Sequence, residues 1–353
     1  MGRLLSALLV TDLDHGWTPA DLGQVVRRRL TAGHLPVLAA ALAAEAQRHP
    51  PGRVPPAWRD ELTGLGPAGP ADPTSTAGLE LMLGLCAVLG SLPAVETVLP
   101  PLGSTATADH HPGATDARQL ARVRALLAKA ESTEYDDEAE ALSAKAQELI
   151  SRYALGRLLD EHQHPGGRQR EETVVVRRLW IEAPYVVAKA LLVDAVASAN
   201  RCRSVLSEDL GFCTVIGSSD DLDGVELLAT SLLVQADTAM LRCGRHTDRR
   251  GMSRTTSFRR SFLVAYASRI GERLRAATAD AADQVPGAGA LVPLLAQRAE
   301  RVQATRDRLF PELVTRATAI SNGAGWAAGR AAADLALLDG DLRPLAEADA
   351  PVG

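Results

Sequence analysis

Apolar residues along most of this chain recur three and four positions apart, the spacing of one helix face. From residue 20 to 32, Leu22, Val25, Val26 and Leu30 form such a stripe, and Thr18-Pro19 ahead of it supplies a cap and a first-turn proline. Further helices are predicted over 35–47, from Trp58, and over 79–92, the last apolar all round and so expected to be buried. Breakers separate them: a proline cluster at 50–56 and a Gly/Pro loop at 64–76. After residue 172 the pattern changes. Stretches 173–181, 201–206 and 212–217 are rich in β-branched residues and read as strands, the last two as a hairpin across Ser207-Glu208-Asp209-Leu210-Gly211. Helices are predicted between and after them, at 183–199, 222–241, 254–279, 290–309 and 323–338, with Ser219 or Asp220 capping the second. The stretch 313–320 fits strand or helix equally, and the tail from Gly340 is expected to be loose.

The stretch 116–153 has the clearest pattern. In its first half Leu120, Val123, Leu126, Leu127 and Ala130 fall within an arc of roughly 120°, with Arg118, Arg122 and Lys129 opposite. In its second half Ala139, Leu142, Ala146, Leu149, Ile150 and Tyr153 share an arc of about 100°. The turn between, Glu131 to Asp137, is acidic and rich in hydroxyls, as suits a helix start. So short a turn makes the two helices antiparallel neighbours.

The strings LLAKAEST and EAEALSAKAQELISRY in this stretch resemble the bacterial and phage family catalogued as domain of unknown function 2786. The positions that carry the likeness are Leu126, Leu127, Lys129, Ala130, Ser132, Thr133, Glu138, Ala139, Glu140, Ala141, Lys145, Ala146, Gln147, Leu149 and Tyr153. The later stretch VIGSSDDLDGVELLATSLLVQADTAM is similar to the region that follows the hairpin in that family. The resemblance implies a fold and no mechanism.

Composition narrows the function. The chain has 353 residues, enough for two or three domains, and only 3% aromatic residues, so its core is expected to be Leu, Val and Ala. Its net charge of -5 provides no global field to attract nucleic acid. Lysine occurs only at Lys129, Lys145 and Lys189, so arginine abundance alone does not mark a phosphate site. Four scattered cysteines do not make a disulfide framework, no run reaches ~18 apolar residues, and a cytoplasmic protein with reduced thiols is expected, without a membrane.

The segment from Arg242 to Arg275 is the leading candidate for a binding surface. Arg254, Arg259, Arg260, Arg269 and Arg273 interleave there with Phe258, Phe262 and Tyr266 at helical spacing, a combination that suits phosphate contact and base stacking. Arg259 and Arg273 fall inside the apolar arc and each needs a carboxylate or a ligand phosphate. An ordinary core helix with internally paired arginines is the competing reading. Lys129 and Lys145, with Glu138 and Glu140, form a second charged surface on the hairpin, which a solvated helix face also explains.

Metal chemistry has two weaker candidates. Cys243 and His246 have knuckle spacing, with Cys202 and Cys213 on the strands as further ligands for zinc. Asp220, Asp221 and Asp223 follow a strand end and suit a divalent ion, or serve simply to cap a helix. Gly323, Gly325 and Gly329 miss the dinucleotide-loop spacing and fit a closely packed helix better. No Walker A loop, GxSxG elbow or HExxH motif is present; His110, His111, His162 and His164 sit in linkers.

The expected architecture is α+β and mostly helical. A helical N-terminal domain (1–108) and an antiparallel helical hairpin (116–156) precede an α/β core with C-terminal helices (173–340). That core holds a small, largely antiparallel three-stranded sheet with helices on one face. The expected function is a binding protein acting on nucleic acid or a nucleoprotein through the Arg/aromatic helix, with no cofactor. A metal-dependent hydrolase and a protein–protein adaptor are the alternatives.

Overall fold

The computed structural model describes residues 1–69, 71–72, 74–104, 114–132, 136–163, 174–247, 250–283, 288–314 and 321–335. The middle of the hairpin turn, most of the two linkers, most of 313–320, and the tail lie outside these residues, as do His110, His111 and His164. The chain divides into two compact units, Met1–His111 and Pro112–Gly353.

The first unit is helical. It comprises α1 (Gly2–Asp14), α2 (Pro19–Arg29), α3 (His34–Ala46), a 3₁₀ turn at Pro51–Arg53, α4 (Pro56–Gly64) and α5 (Thr76–Leu89). The Thr18 hydroxyl accepts from the Asp21 N–H at 3.3 Å with Pro19 behind it, so α2 starts where the sequence predicts. Trp17 and Trp58 are buried and each donates its indole N–H to a carbonyl of the segment after α5, at Pro93 (2.8 Å) and Pro100 (3.0 Å). α5 is not wholly buried as expected: Met82, Leu85, Cys86 and Leu89 face inward while Leu83 is 52% exposed.

The second unit contains the hairpin, α6 (Ala114–Ser132) and α7 (Asp136–Gln163). Then follow β1 (Val174–Trp180), α8 (Val186–Ala199), β2 (Arg203–Ser207), β3 (Phe212–Ser218), α9 (Ser219–Arg242), α10 (Thr255–Asp283), α11 (Ala288–Leu309) and α12 (Gly323–Leu335). The chain is α+β and mostly helical, as expected. The hairpin is not a separate part: Val123, Leu127, Ala146 and Ile150 share one core with α8, α9, α10 and the sheet. Arg118, Arg122 and Lys129 are exposed, as the helical wheel required.

The sheet is antiparallel throughout, in the order β1-β3-β2. One face, with Val175, Leu179, Cys213 and Val215, packs on α8 and α9. The other lies under α11, where Arg203 of β2 donates to Gln303 at 3.4 Å. Helices therefore cover both faces, not one. Every residue of β3 is buried for this reason, and its run Phe-Cys-Thr-Val-Ile-Gly lacks the alternation of a one-sided strand.

α12 lies directly on α10. A methyl group built on Gly325 would stand 2.4 Å from the Phe258 carbonyl oxygen, and one on Gly329 2.2 Å from that of Phe262. Gly325 and Gly329 thus serve close helix packing. Asn322 caps α12, accepting from the Gly325 N–H at 2.9 Å, while its own N–H donates to Ser261 of α10 at 3.1 Å.

Candidate functional site

The acidic cluster at the start of α9 resolves into ion pairs. Ser218 is the cap, not Ser219 or Asp220; its hydroxyl accepts from the Asp221 N–H at 3.3 Å and donates to the Asp221 carboxylate at 2.9 Å. Asp221 is buried, and its two oxygens are gripped by Arg201 from the turn before β2 and by Arg298 of α11 (3.2 Å). Burial alone would lower the Arg201 pKa, but the Asp221 carboxylate outweighs it and the pKa is raised. Asp220 pairs with Arg157 of α7 at 2.9 Å. Asp223 pairs with Arg177 of β1 at 2.8 Å, and the same guanidinium reaches Glu226 at 2.6 Å. The three aspartates expected as metal ligands thus point to three different arginine groups. That arrangement fastens α7, β1, the β2 turn and α11 to one helix end.

The Cys/His candidate is also dispersed. The Cys243 thiol donates to the Ala239 carbonyl at 3.4 Å, and the His246 ring stacks on Phe258 with centroids 3.5 Å apart. Cys202 lies beside Gly217 at one end of the hairpin, while Cys213 opposes Leu206 near the other. Burial pushes the Cys213 thiol up to about 12 and raises Cys202 further, the opposite of a thiolate ligand. Among the described residues no three His, Cys, Asp or Glu side chains converge as a metal site.

The Arg/aromatic helix divides into an inner and an outer part. Phe258, Phe262 and Tyr266 are 2%, 0% and 1% exposed and line up along the core, ring beside ring. The base-stacking role expected of them is therefore corrected: these rings are core. Burial also raises the Tyr266 hydroxyl's pKa. Arg273 is likewise turned inward: it is buried and donates to the Ala333 carbonyl of α12 at 2.6 Å. Arg269 shares Glu272 with Arg330, at 2.9 and 3.2 Å, and these bonds hold the Glu272 carboxyl below the usual range. Arg259 is half-buried, its Nε enclosed and without a hydrogen bond.

The outer part is the end of α9, the loop after it and the first turns of α10. Arg242, Arg245, Arg250, Arg254 and Arg260 are all exposed there. Between Arg242 and Arg260 the sequence has seven arginines and a single acid, Asp248. The loop neck is ordered. Thr247 bridges Ser253, the Arg254 N–H donates to the His246 carbonyl at 2.8 Å, and the His246 N–H donates to the Thr255 hydroxyl at 3.0 Å. His246, expected as a ligand, instead braces this neck.

On the hairpin, Lys129 is exposed and Lys145 pairs with Glu148 at 2.7 Å, an exposed bond of little energetic weight. A groove of about 460 Å³ runs between α6 and α9, lined by Arg124, Leu127, Glu131, Glu226 and Thr230 among others. The sequence reading missed it. Its signal was present as polar residues at helical spacing on both helices, Arg124 with Glu131 and Asp223 with Glu226 and Thr230, but nothing in one dimension sets those two faces opposite each other.

By length and composition α9 could cross a bilayer; here Leu222, Val225, Leu228, Leu232 and Ala236 on it are core residues. No curated protein and no solved structure matches the chain. The stretch at 215–240 that resembles the sequence after the family hairpin lies outside the matched segment. Residues 118–157, most of α6 and α7, match the family model described as Protein of unknown function (DUF2786).

Proposed function

We propose that this chain is a binding protein that engages nucleic acid, alone or within a nucleoprotein, through the arginine-rich surface where α9 passes into α10. One observation carries the reading. A chain with net charge -5 gathers seven arginines against one aspartate in the nineteen residues from Arg242 to Arg260, and five of those arginines are exposed residues. Such segregation opposes the charge of the whole and provides a local field for a polyanion. The three aspartates and the cysteines, which were the basis of a metal-dependent hydrolase, are taken up by arginines and by the core, so the geometry favours binding over that chemistry.

The test is anisotropy of a labelled nucleic acid against the full chain across a salt series. Binding should weaken steeply with salt, and Arg245/Arg254/Arg260→Glu should remove it, each lost phosphate contact reducing the log–log slope by ~0.9. Binding indifferent to salt and to this variant rejects the reading. A second reading, an adaptor for another protein, is favoured by the exposed Met1, Leu4, Leu79 and Leu83 of the first unit, at 43%, 51%, 37% and 52%. Loss of a co-purifying protein on Leu4/Leu83→Asp is the result it requires.

A further inference from the structure

We infer that the α9–α10 surface takes double-stranded nucleic acid by its phosphate backbone, with no preference for base sequence, and discriminates against single strands. This rests on the nucleic-acid reading above and names its substrate class.

Proteins that hold single strands combine a basic groove with exposed rings on which bases stack, each stacked base contributing roughly 5- to 150-fold in affinity. This surface has the charge and lacks the rings. Its aromatic residues Phe258, Phe262 and Tyr266 are buried, and the one imidazole at the neck, His246, has a face covered by Phe258. Among the described residues no Phe, Tyr or Trp is exposed.

The surface instead presents guanidiniums at Arg242, Arg245, Arg250, Arg254 and Arg260 and hydroxyls at Thr247, Ser253 and Thr256, all exposed. These groups donate to phosphate oxygens, the contacts that position a protein without reading sequence. The segment from 242 to 260 contains no Asn or Gln to read adenine by paired hydrogen bonds; arginine also reads guanine, so a preference between two duplexes is what separates base contact from phosphate contact. A duplex offers one phosphate per ~1.7 Å of its axis, denser than a single strand, so a cluster of cations gains most from it. The bonds across the neck hold the backbone of Arg254 against that of His246, next to Arg245, before binding, which limits what ordering costs on association.

The experiment uses the full chain at low salt with four probes. They are a 20-base-pair mixed-sequence DNA duplex, a duplex of unrelated sequence, either single strand of the first, and phosphatidylserine vesicles. The expected result is that both duplexes bind within ~3-fold of each other and at least ~5-fold more tightly than the single strands. Arg245/Arg254/Arg260→Glu, with unchanged circular dichroism, should weaken duplex binding by more than ~10-fold. Single strands bound as tightly as duplex, or one duplex strongly preferred, overturns this inference and leaves the nucleic-acid reading standing. No binding of any nucleic acid overturns both. Vesicles bound in preference to duplex also overturn both and make the surface a membrane contact.

Discussion

Replacing Gly329 by alanine sets a methyl carbon 2.2 Å from the Phe262 carbonyl oxygen. Carbon and carbonyl oxygen rest at about 3.3–3.6 Å, so α12 has to retreat from α10 by roughly 1 Å. The obstacle is backbone and cannot rotate away. Retreat also draws the Ala333 carbonyl off the buried Arg273 guanidinium and Arg330 off Glu272. Overpacking of this kind costs about 1–3 kcal/mol against the ~1 kcal/mol that alanine gains over glycine inside a helix, a net loss of up to about 2 kcal/mol. Gly325→Ala, with its methyl 2.4 Å from the Phe258 oxygen, should behave alike. Gly323 is the internal control: nothing lies within 4 Å of a methyl there, and Gly323→Ala should be neutral. Hydrogen exchange followed peptide by peptide over α12 reads the difference. Protection should fall by up to roughly 30-fold in Gly329→Ala and stay unchanged in Gly323→Ala. Equal protection in all three proteins, or damage from Gly323→Ala alone, would refute close glycine packing as what holds α12 in place.

Three further outcomes follow from buried groups. Asp221→Asn leaves Arg201 and Arg298 without their shared carboxylate and should cost about 3–5 kcal/mol in urea denaturation; a midpoint within error of the parent protein refutes the triad. The Asp12 carboxyl is 3% exposed, one oxygen has no partner, and burial raises its pKa to about 7. The folded unit therefore keeps a proton that the unfolded chain releases near 3.8, so stability is full below about pH 4 and declines as pH rises to 7. Asp12→Asn should remove that slope and stabilise the unit at pH 8 by up to on the order of 4 kcal/mol, and a pH profile identical in both proteins contradicts it. With a thiol reagent at pH 8, the half-buried Cys243 should react first and Cys202 and Cys213 only on unfolding, because burial raises both of those thiols; simultaneous labelling counts against the assigned core.

The candidate site was legible in its charge and not in its geometry. The arginines of the α9–α10 segment stand out in one dimension, and so does their spacing with Phe258, Phe262 and Tyr266. Helical spacing alone leaves open which residues of an amphipathic helix face a neighbour, because that depends on how many neighbours the helix has. α10 is flanked by α8 on one side and α12 on another, so its rings and Arg273 are enclosed while Arg260 near its start and Arg275 further along stay exposed. The aspartates show the same limit. Asp220, Asp221 and Asp223 look like one oxygen-rich site, yet their partners Arg157, Arg177, Arg201 and Arg298 come from distant positions along the chain.

Local chemistry by itself determined most of the helices (α1 apart), the three strands, the β2–β3 hairpin and the α6–α7 pair. Periodicity, caps and turn residues act over a few residues and are written in order along the chain. Only tertiary structure decided that α11 closes the second face of the sheet, that two glycines let α12 touch the α10 backbone, and that each acid of the α9 cluster meets an arginine. Those outcomes depend on contacts between segments far apart in sequence, where sterics and desolvation choose a partner that no local pattern names.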